Sequence, residues 1–202
     1  MLTRFNPNIV REVGLDEAGR GPAFGRVYAA AVIWPADLTS DLIRDSKKIS
    51  EAKMKESYDF VMANALAVSV SYATASEIDQ LNILQADMLA MHRALDSIPD
   101  IEALIVDGNY FKPYKGGKGM GIPWTTVVKG DSKFYSIAAA SIVAKYSRDA
   151  YITEICGEYP DLNTKYDLLR NKGYPAPNHL AGIQTHGISP FHRKTFKCCG
   201  LN

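Results

Sequence analysis

GLDEAGRGPAFGRVYAAAVIW, Gly14 to Trp34, reads as two strands joined by a turn. Val13 and Leu15 sit two apart, which puts them on one face of a strand over Ile9 to Asp16. Val27 to Trp34 is apolar on both faces, as a central strand would be. Gly21-Pro22 and Gly25 lie between the two runs and mark a hairpin turn. The first strand closes on adjacent acids, Asp16 and Glu17, and a Gly-Arg-Gly triplet follows at once. Side chains alternate along a strand, so both acids reach one site only if the strand has ended by Glu17; Ala18-Gly19 is the expected turn.

Outward from this hairpin the chain alternates between strand and helix patterns. Ser50 can cap a helix through Met54 and Phe60, and Ala67 to Tyr72 alternates as a strand. Ser76 opens a long expected helix, SEIDQLNILQADMLAMHRAL, with an apolar stripe through Ile78, Leu81, Leu84, Met88 and Met91. ALIV, from Ala103, is a short buried strand ending at Asp107-Gly108. TTVV, from Thr125, is another, ending at Lys129-Gly130-Asp131. Ser132 to Ile155 reads as helix, with small residues from Ala138 to Ala144 that allow close approach to a sheet. A short helix is expected near His179. This order predicts an α/β sheet covered on both sides, whose sites form beyond the carboxyl ends of its strands.

The 202 residues, 47% hydrophobic and 22% charged, suffice for a full core without staples. A net charge of +1 offers no general attraction for nucleic acid, which leaves only local clusters to provide it. The three cysteines, Cys156, Cys198 and Cys199, are odd in number and lack Cys-x-x-Cys spacing. They make neither a disulfide framework nor a zinc site, and suggest a reducing compartment. MLTRFNPNIVREVG has no signal-peptide core, and no apolar run approaches about 18 residues. The expectation is a soluble, cytoplasmic protein with no membrane partner.

Asp16-Glu17, Asp107 and Asp131 each follow an apolar run, with glycine close by. Acids favour turns, so any one of them alone means little. If the three runs lie side by side, four carboxylates converge, repel one another and call for a cation. Hard oxygen ligands with water and phosphate completing the shell suit Mg²⁺ or Mn²⁺, and two such ions can assist phosphodiester hydrolysis. Gly19 and Gly21 allow close backbone approach, and Arg20 offers a planar fork for phosphate. Lys47, Lys48, Lys112, Lys115, Lys118 and Lys129 are further loop cations, and Tyr114 and Tyr174 are aromatics able to stack among them. No Gly-x-Ser-x-Gly or P-loop is present. His92 reads as structural, and His179, His186 and His192 are too widely spaced for a helical zinc pair.

From about Val13 to Phe196 the chain resembles the type 2 ribonucleases H, specifically the bacterial ribonuclease HII family. The matching segments are GLDEAGRGPAFGRVYAAAVI, DSKKIS, EIDQLNILQADMLAMHRAL, LIVDGN, VVKGDSKFYSIAAASIVAKYSRD, and NKGYPAPNH followed by HGISPFHRKTF. The resemblance implies an RNase H-like mixed β-sheet flanked by helices, with a small helical C-terminal part. It implies one domain over residues 1–202, with the core to about 155 and the helical part from about 156. It further implies an endoribonuclease that hydrolyses the RNA strand of RNA–DNA hybrids. Such an enzyme also cuts 5′ of single ribonucleotides embedded in duplex DNA and leaves a 3′-hydroxyl.

Carried over by motif, Asp16, Glu17, Asp107 and Asp131 are the metal-binding catalytic carboxylates, for Mg²⁺ or Mn²⁺, two ions with substrate bound. Gly19, Arg20 and Gly21 would grip the backbone around the 2′-hydroxyl, and Tyr174 would pack against the deoxyribose at the RNA–DNA junction. Lys47 and Lys48 match the family's Asp-Ser-Lys-Lys segment as nucleic-acid contacts. The expected partners are the hybrid and ribonucleotide-containing duplex DNA, met by a monomer. Ala18, where serine would mark the HIII branch, favours HII, and no extension is expected to carry HIII's extra domain. No Gln-x-x-hydrophobic-x-x-aromatic-aromatic box ends the sequence, so no clamp-binding motif is expected at the C-terminus. YFKPYKGGKGMGIPW is longer and more basic than the family pattern leads one to expect. The residues leave two other readings open: a nucleic-acid-binding module without catalytic metal, and another metal-dependent phosphatase or nuclease.

Overall fold

Every side chain of β2 (Val27–Ile33) is buried, because helices cover both faces of the sheet that it crosses. The computed structural model describes residues 2–116 and 121–200. Lys118 and the rest of the segment 117–120 lie outside them. The sheet has five strands in the order β3-β2-β1-β4-β5. β1 (Glu12–Ala18), β2 and β3 (Ala67–Ala73) form an antiparallel meander; β4 (Ala103–Asp107) and β5 (Trp124–Val127) add parallel to β1. The fold is the mixed RNase H-like sheet with flanking helices that the motifs lead one to expect.

The first expected strand is shifted. β1 starts at Glu12 rather than Ile9, and its ladder continues past Asp16, with Glu17 opposite Ala29 and Ala18 opposite Tyr28. The turn begins at Gly19, whose φ of 96° suits glycine. The strand has therefore not ended by Glu17, and the two acids leave it on opposite faces.

Val13, Leu15, Ala29, Ala31, Leu104 and Val106 pack against α3 (Ile83–Leu95) on one face. On the other, Ala30 and Val32 meet α4 (Tyr135–Glu158) and α1 (Glu51–Asn64). The long helix expected from Ser76 is broken. α2 (Ala75–Leu81) opens with a Thr74–Glu77 capping box, and Asn82 ends it at a φ of 69°. The Asn82 side chain then accepts from Leu84 and Gln85 N–H and caps α3, as a short polar residue can. α4, at 24 residues, is the longest described helix. It is preceded by a 3₁₀ turn, Gly130–Ser132, that carries Asp131. β5 is not buried as expected; as the outer strand it leaves Trp124 43% exposed. The C-terminal helices α5 (Pro160–Tyr166), α6 (Leu168–Asn171) and α7 (Pro177–His186) replace the single short helix expected, and pack with Phe24 and Tyr28 against the far end of α4. No described helix is long and apolar enough to cross a membrane.

α4 lies so close to β1 that a Cβ on Gly14 would stand 2.3 Å from the Ser136 carbonyl carbon and 2.5 Å from Ile137 N. Both are backbone atoms and cannot swing aside. Gly14→Ala is therefore expected to cost about 3 kcal/mol through overpacking, read as a lower urea midpoint with an unchanged m-value. Unaltered stability would show that α4 can shift away without cost.

Candidate functional site

Parallel pairing of Leu15 with Val106 brings Asp107 out beside Asp16 at the carboxyl end of the central strands. Asp16 is 4% exposed and turns toward Ser141 of α4; Glu17 turns toward α3. Burial pushes the Asp16 carboxyl well above the usual range, and the charges of Glu17 and Asp107 add to this. Glu17 is raised by burial, against the pull of Arg20 and with a push from Asp107. Asp107 is raised by burial although Gly130 N–H donates to its Oδ1 at 2.7 Å. Asp131 stands on the 3₁₀ turn after β5, and Lys47 Nζ donates to its Oδ2 at 3.3 Å.

Lys47 is aimed by the 3₁₀ turn Ser46–Lys48. The Asp45 side chain caps that turn at Lys47 N–H, and the Ser46 hydroxyl meets Ser141 Oγ at 2.7 Å. Burial lowers the Lys47 pKa, but Asp131 and Asp16 outweigh it and the net shift is upward. Successive side chains of such a turn diverge, so Lys48 goes elsewhere and pairs with Asp45 at 3.8 Å. The structure thus separates two lysines that the motif reading placed together.

A cleft of about 390 Å³ joins these parts except Asp131, which is tied to it through Lys47. Asp16, Glu17, Asp107 and Lys47 line it, together with Gly19, Arg20, Gly21 and Tyr174. A larger groove of about 550 Å³, lined by Lys48, Asp45 and Ser132, adjoins it but holds none of the four carboxylates. The chemistry, not the size, singles out the smaller cleft. Tyr114 does not join it: its hydroxyl donates to Asp96 Oδ1, and its ring packs edge-on to His92. His92 itself bonds the Lys112 carbonyl, as a structural histidine does.

The Gly-Arg-Gly loop rests on two arginines that its own sequence does not reveal. Arg193 is fully buried and donates to the carbonyls of Gly25, Arg20, Gly19 and Arg26 at 2.6–3.0 Å. Burial, with Arg148 nearby, brings its pKa down to about 9. Arg148 is 1% exposed and lies where any Cβ on Gly19 would strike it, 2.3 Å from its Nε. Its Nη2 donates to Lys172 O, and Tyr174 lies against Gly21, where an added Cβ would be 3.3 Å from the ring. The Tyr174 backbone is held by a relay. Ser189 N–H donates to His192 Nδ1, His192 Nε2–H to His179 Nε2 at 3.0 Å, and His179 Nδ1–H to the Tyr174 carbonyl. This order needs both rings neutral. Another residue absent from the motif reading is Asp87 of α3, 3.6 Å from Arg20 Nε. Its signal was an acid within the apolar stripe between Leu84 and Met91.

The donor set fits a hard divalent cation: all-oxygen, acidic, and partly buried, with like charges that raise one another's pKa. Among the described residues no three of these side chains stand as a ready-made cage. Arg20 engages Glu17 and Lys47 engages Asp131, each at 3.3–3.4 Å.

The family model described as ribonuclease HII matches residues 13–199. A curated ribonuclease HII of Phocaeicola vulgatus is 47% identical over 203 aligned positions, covering 100% of this chain and 96% of that protein. Among solved structures, ribonuclease H2 of Pyrococcus horikoshii superimposes with a TM-score of 0.75 at 22% identity, covering 93% of this chain and 94% of its own. Bst-RNase HIII in complex with Mn²⁺ gives 0.68 at 20% identity, covering 93% of this chain and 67% of its own. At these identities the two structures show the fold.

Two outcomes are expected. Arg193→Met should cost about 3–5 kcal/mol in urea unfolding, because several buried acceptors lose their donor at about 1–3 each. A loss below 1 kcal/mol, taken as roughly one ordinary bond, would mean that the loop carries itself. The second concerns acid. Burial, then the facing His179, holds the His192 pKa down at about 4, below its ordinary 6.5. The unfolded chain binds that proton more readily, so stability is full above pH 6.5 and falls as pH drops toward 4, by up to about 3 kcal/mol. Melting followed across this window should show a shallower fall in His192→Gln; an identical slope would remove the assignment.

Proposed function

The chain belongs to the ribonuclease HII family, whose members are ribonucleases H acting on RNA–DNA hybrids, and from that premise we propose that it also cuts 5′ of single ribonucleotides in duplex DNA, leaving a 3′-hydroxyl. One observation carries the reading: the acids at the ends of the central strands share one cleft with Gly19, Arg20, Gly21 and Tyr174.

Asp16, Glu17, Asp107 and Asp131 would hold Mg²⁺ or Mn²⁺, two ions with substrate present, which when bound supply an activated water and charge for the departing oxygen. The Mn²⁺ of Bst-RNase HIII supports this choice of ion. Asp16, on the central strand, is the acid most closely pressed by its neighbours. Gly21 presents bare backbone beside Tyr174, and Gly19, buried over Arg148, lines the same cleft; there the loop can test for the 2′-hydroxyl that separates RNA from DNA. Arg20 offers its fork to a phosphate oxygen. Arg148 and Arg193, buried under the loop, add positive charge without presenting a side chain to solvent. Tyr174, 47% exposed beside Gly21, offers a ring to the sugar at the junction. Lys47 can exchange Asp131 for phosphate. Lys48, paired with Asp45, lines the larger groove outside this cleft and would meet nucleic acid only there.

Asp16→Asn is expected to lower turnover in Mg²⁺ by about 10²-fold or more while binding of hybrid is retained. The assay pairs a duplex holding one ribonucleotide with an all-DNA control. An active Asp16→Asn enzyme overturns the carboxylate assignment. Cleavage of both duplexes by the unaltered chain overturns the specificity, and binding without cleavage overturns the activity.

A further inference from the structure

Asp87 lies on the face of α3 that packs against the sheet, where Met88, Met91 and Leu95 build the core. It is 1% exposed, and neither of its oxygens has a hydrogen-bond partner among the described residues. A buried carboxyl without donors is costly, and an apolar side chain would suit that stripe better. Such a group in a folded protein needs a reason. The reason on hand is Arg20. Asp87 Oδ2 stands 3.6 Å from Arg20 Nε, while Glu17 Oε1 stands 3.4 Å from Nη1. A small cavity of about 40 Å³, lined by Glu17, Arg20, Asp87 and Asp107 among others, links the acid to the rim of the cleft.

We propose that Asp87 is a positioning residue for Arg20, holding the guanidinium at the mouth of the cleft so that its remaining N–H groups are kept for a substrate phosphate. The proposal rests on the reading of Arg20 as a phosphate contact. The Arg20 side chain is 47% exposed and sits on a glycine-flanked loop. Unrestrained, it would lose much rotamer freedom on binding, and a fixed partner removes that cost beforehand. Glu17 is a weaker restraint by itself, because the same carboxylate is a candidate metal ligand and a bound cation would draw its charge away from the guanidinium. Among the described residues Asp87 has no competing hydrogen-bond partner. Its burial also fixes the direction of pull, since α3 is packed on the sheet and cannot follow the loop.

The test is a double-mutant cycle in the Asp16→Asn background, read as binding of a labelled duplex containing one ribonucleotide. Arg20→Ala should weaken binding about tenfold and reduce the salt slope by about one. Asp87→Asn should weaken it about fivefold when Arg20 is present and by less than about twofold when Arg20 is Ala. Melting temperatures of Asp87→Asn and Asp87→Leu should not fall, because removing a buried acid relieves the stripe. Equal effects of Asp87→Asn in both backgrounds overturn the proposal, as does normal binding by Asp87→Asn while Arg20→Ala is impaired. A binding loss that tracks lowered melting in both Asp87 variants makes it a packing residue. Normal binding by Arg20→Ala would instead remove the phosphate reading, and the proposal with it.

Discussion

Asp16, Glu17 and Asp107 are each pushed toward the protonated form by burial and also by neighbouring acids. Crowding carboxylates at the rim of a covered sheet is tolerable only where positive charge is within reach. Much of the surrounding structure answers that constraint. Lys47 is turned onto Asp131 by a capped 3₁₀ turn, and Arg20 is drawn onto Glu17 and Asp87. A divalent cation would meet the same need more fully and would free both side chains for phosphate. Structural tension and chemical capacity therefore have one origin.

A second demand follows from the loop. A Gly-Arg-Gly segment has little stiffness of its own. Arg193 supplies it by donating to four loop carbonyls, and Arg148 fills the space that a Cβ on Gly19 would need. Arg148 comes from α4, and Arg193 from the segment after α7, so distant parts of the chain converge under one turn. The histidine relay from Ser189 to Tyr174 extends the support to the far wall of the cleft. The C-terminal helices thereby serve the site without supplying any of the four carboxylates.

Where the sequence misled, the cause is visible. The stripe from Ile78 to Leu95 keeps helical spacing across Asn82 in the sequence, but Leu81 just before the break is 41% exposed; the positive φ and the side-chain cap mark two helices. β1 was expected to stop at its acids. The pairing of Glu17 with Ala29 and Ala18 with Tyr28 carries it further, and Glu17 reaches the rim from the opposite face. Lys47 and Lys48 look equivalent in DSKK, and a turn geometry separates them.

Local order settled a good deal. Apolar runs of strand length, each followed by acid and glycine, determined the α/β class and the acids that meet at the sheet end, because period and turn chemistry are short-range properties. The hairpin from Gly14 to Trp34 was legible for the same reason. Tertiary structure alone decided which acids face which helix, which lysine enters the cleft, and that Asp87, Arg148 and Arg193 belong to the site's surroundings. Those facts depend on strand order, register and the closeness of α4 to Gly14, which bring together residues far apart in the chain and leave no local pattern.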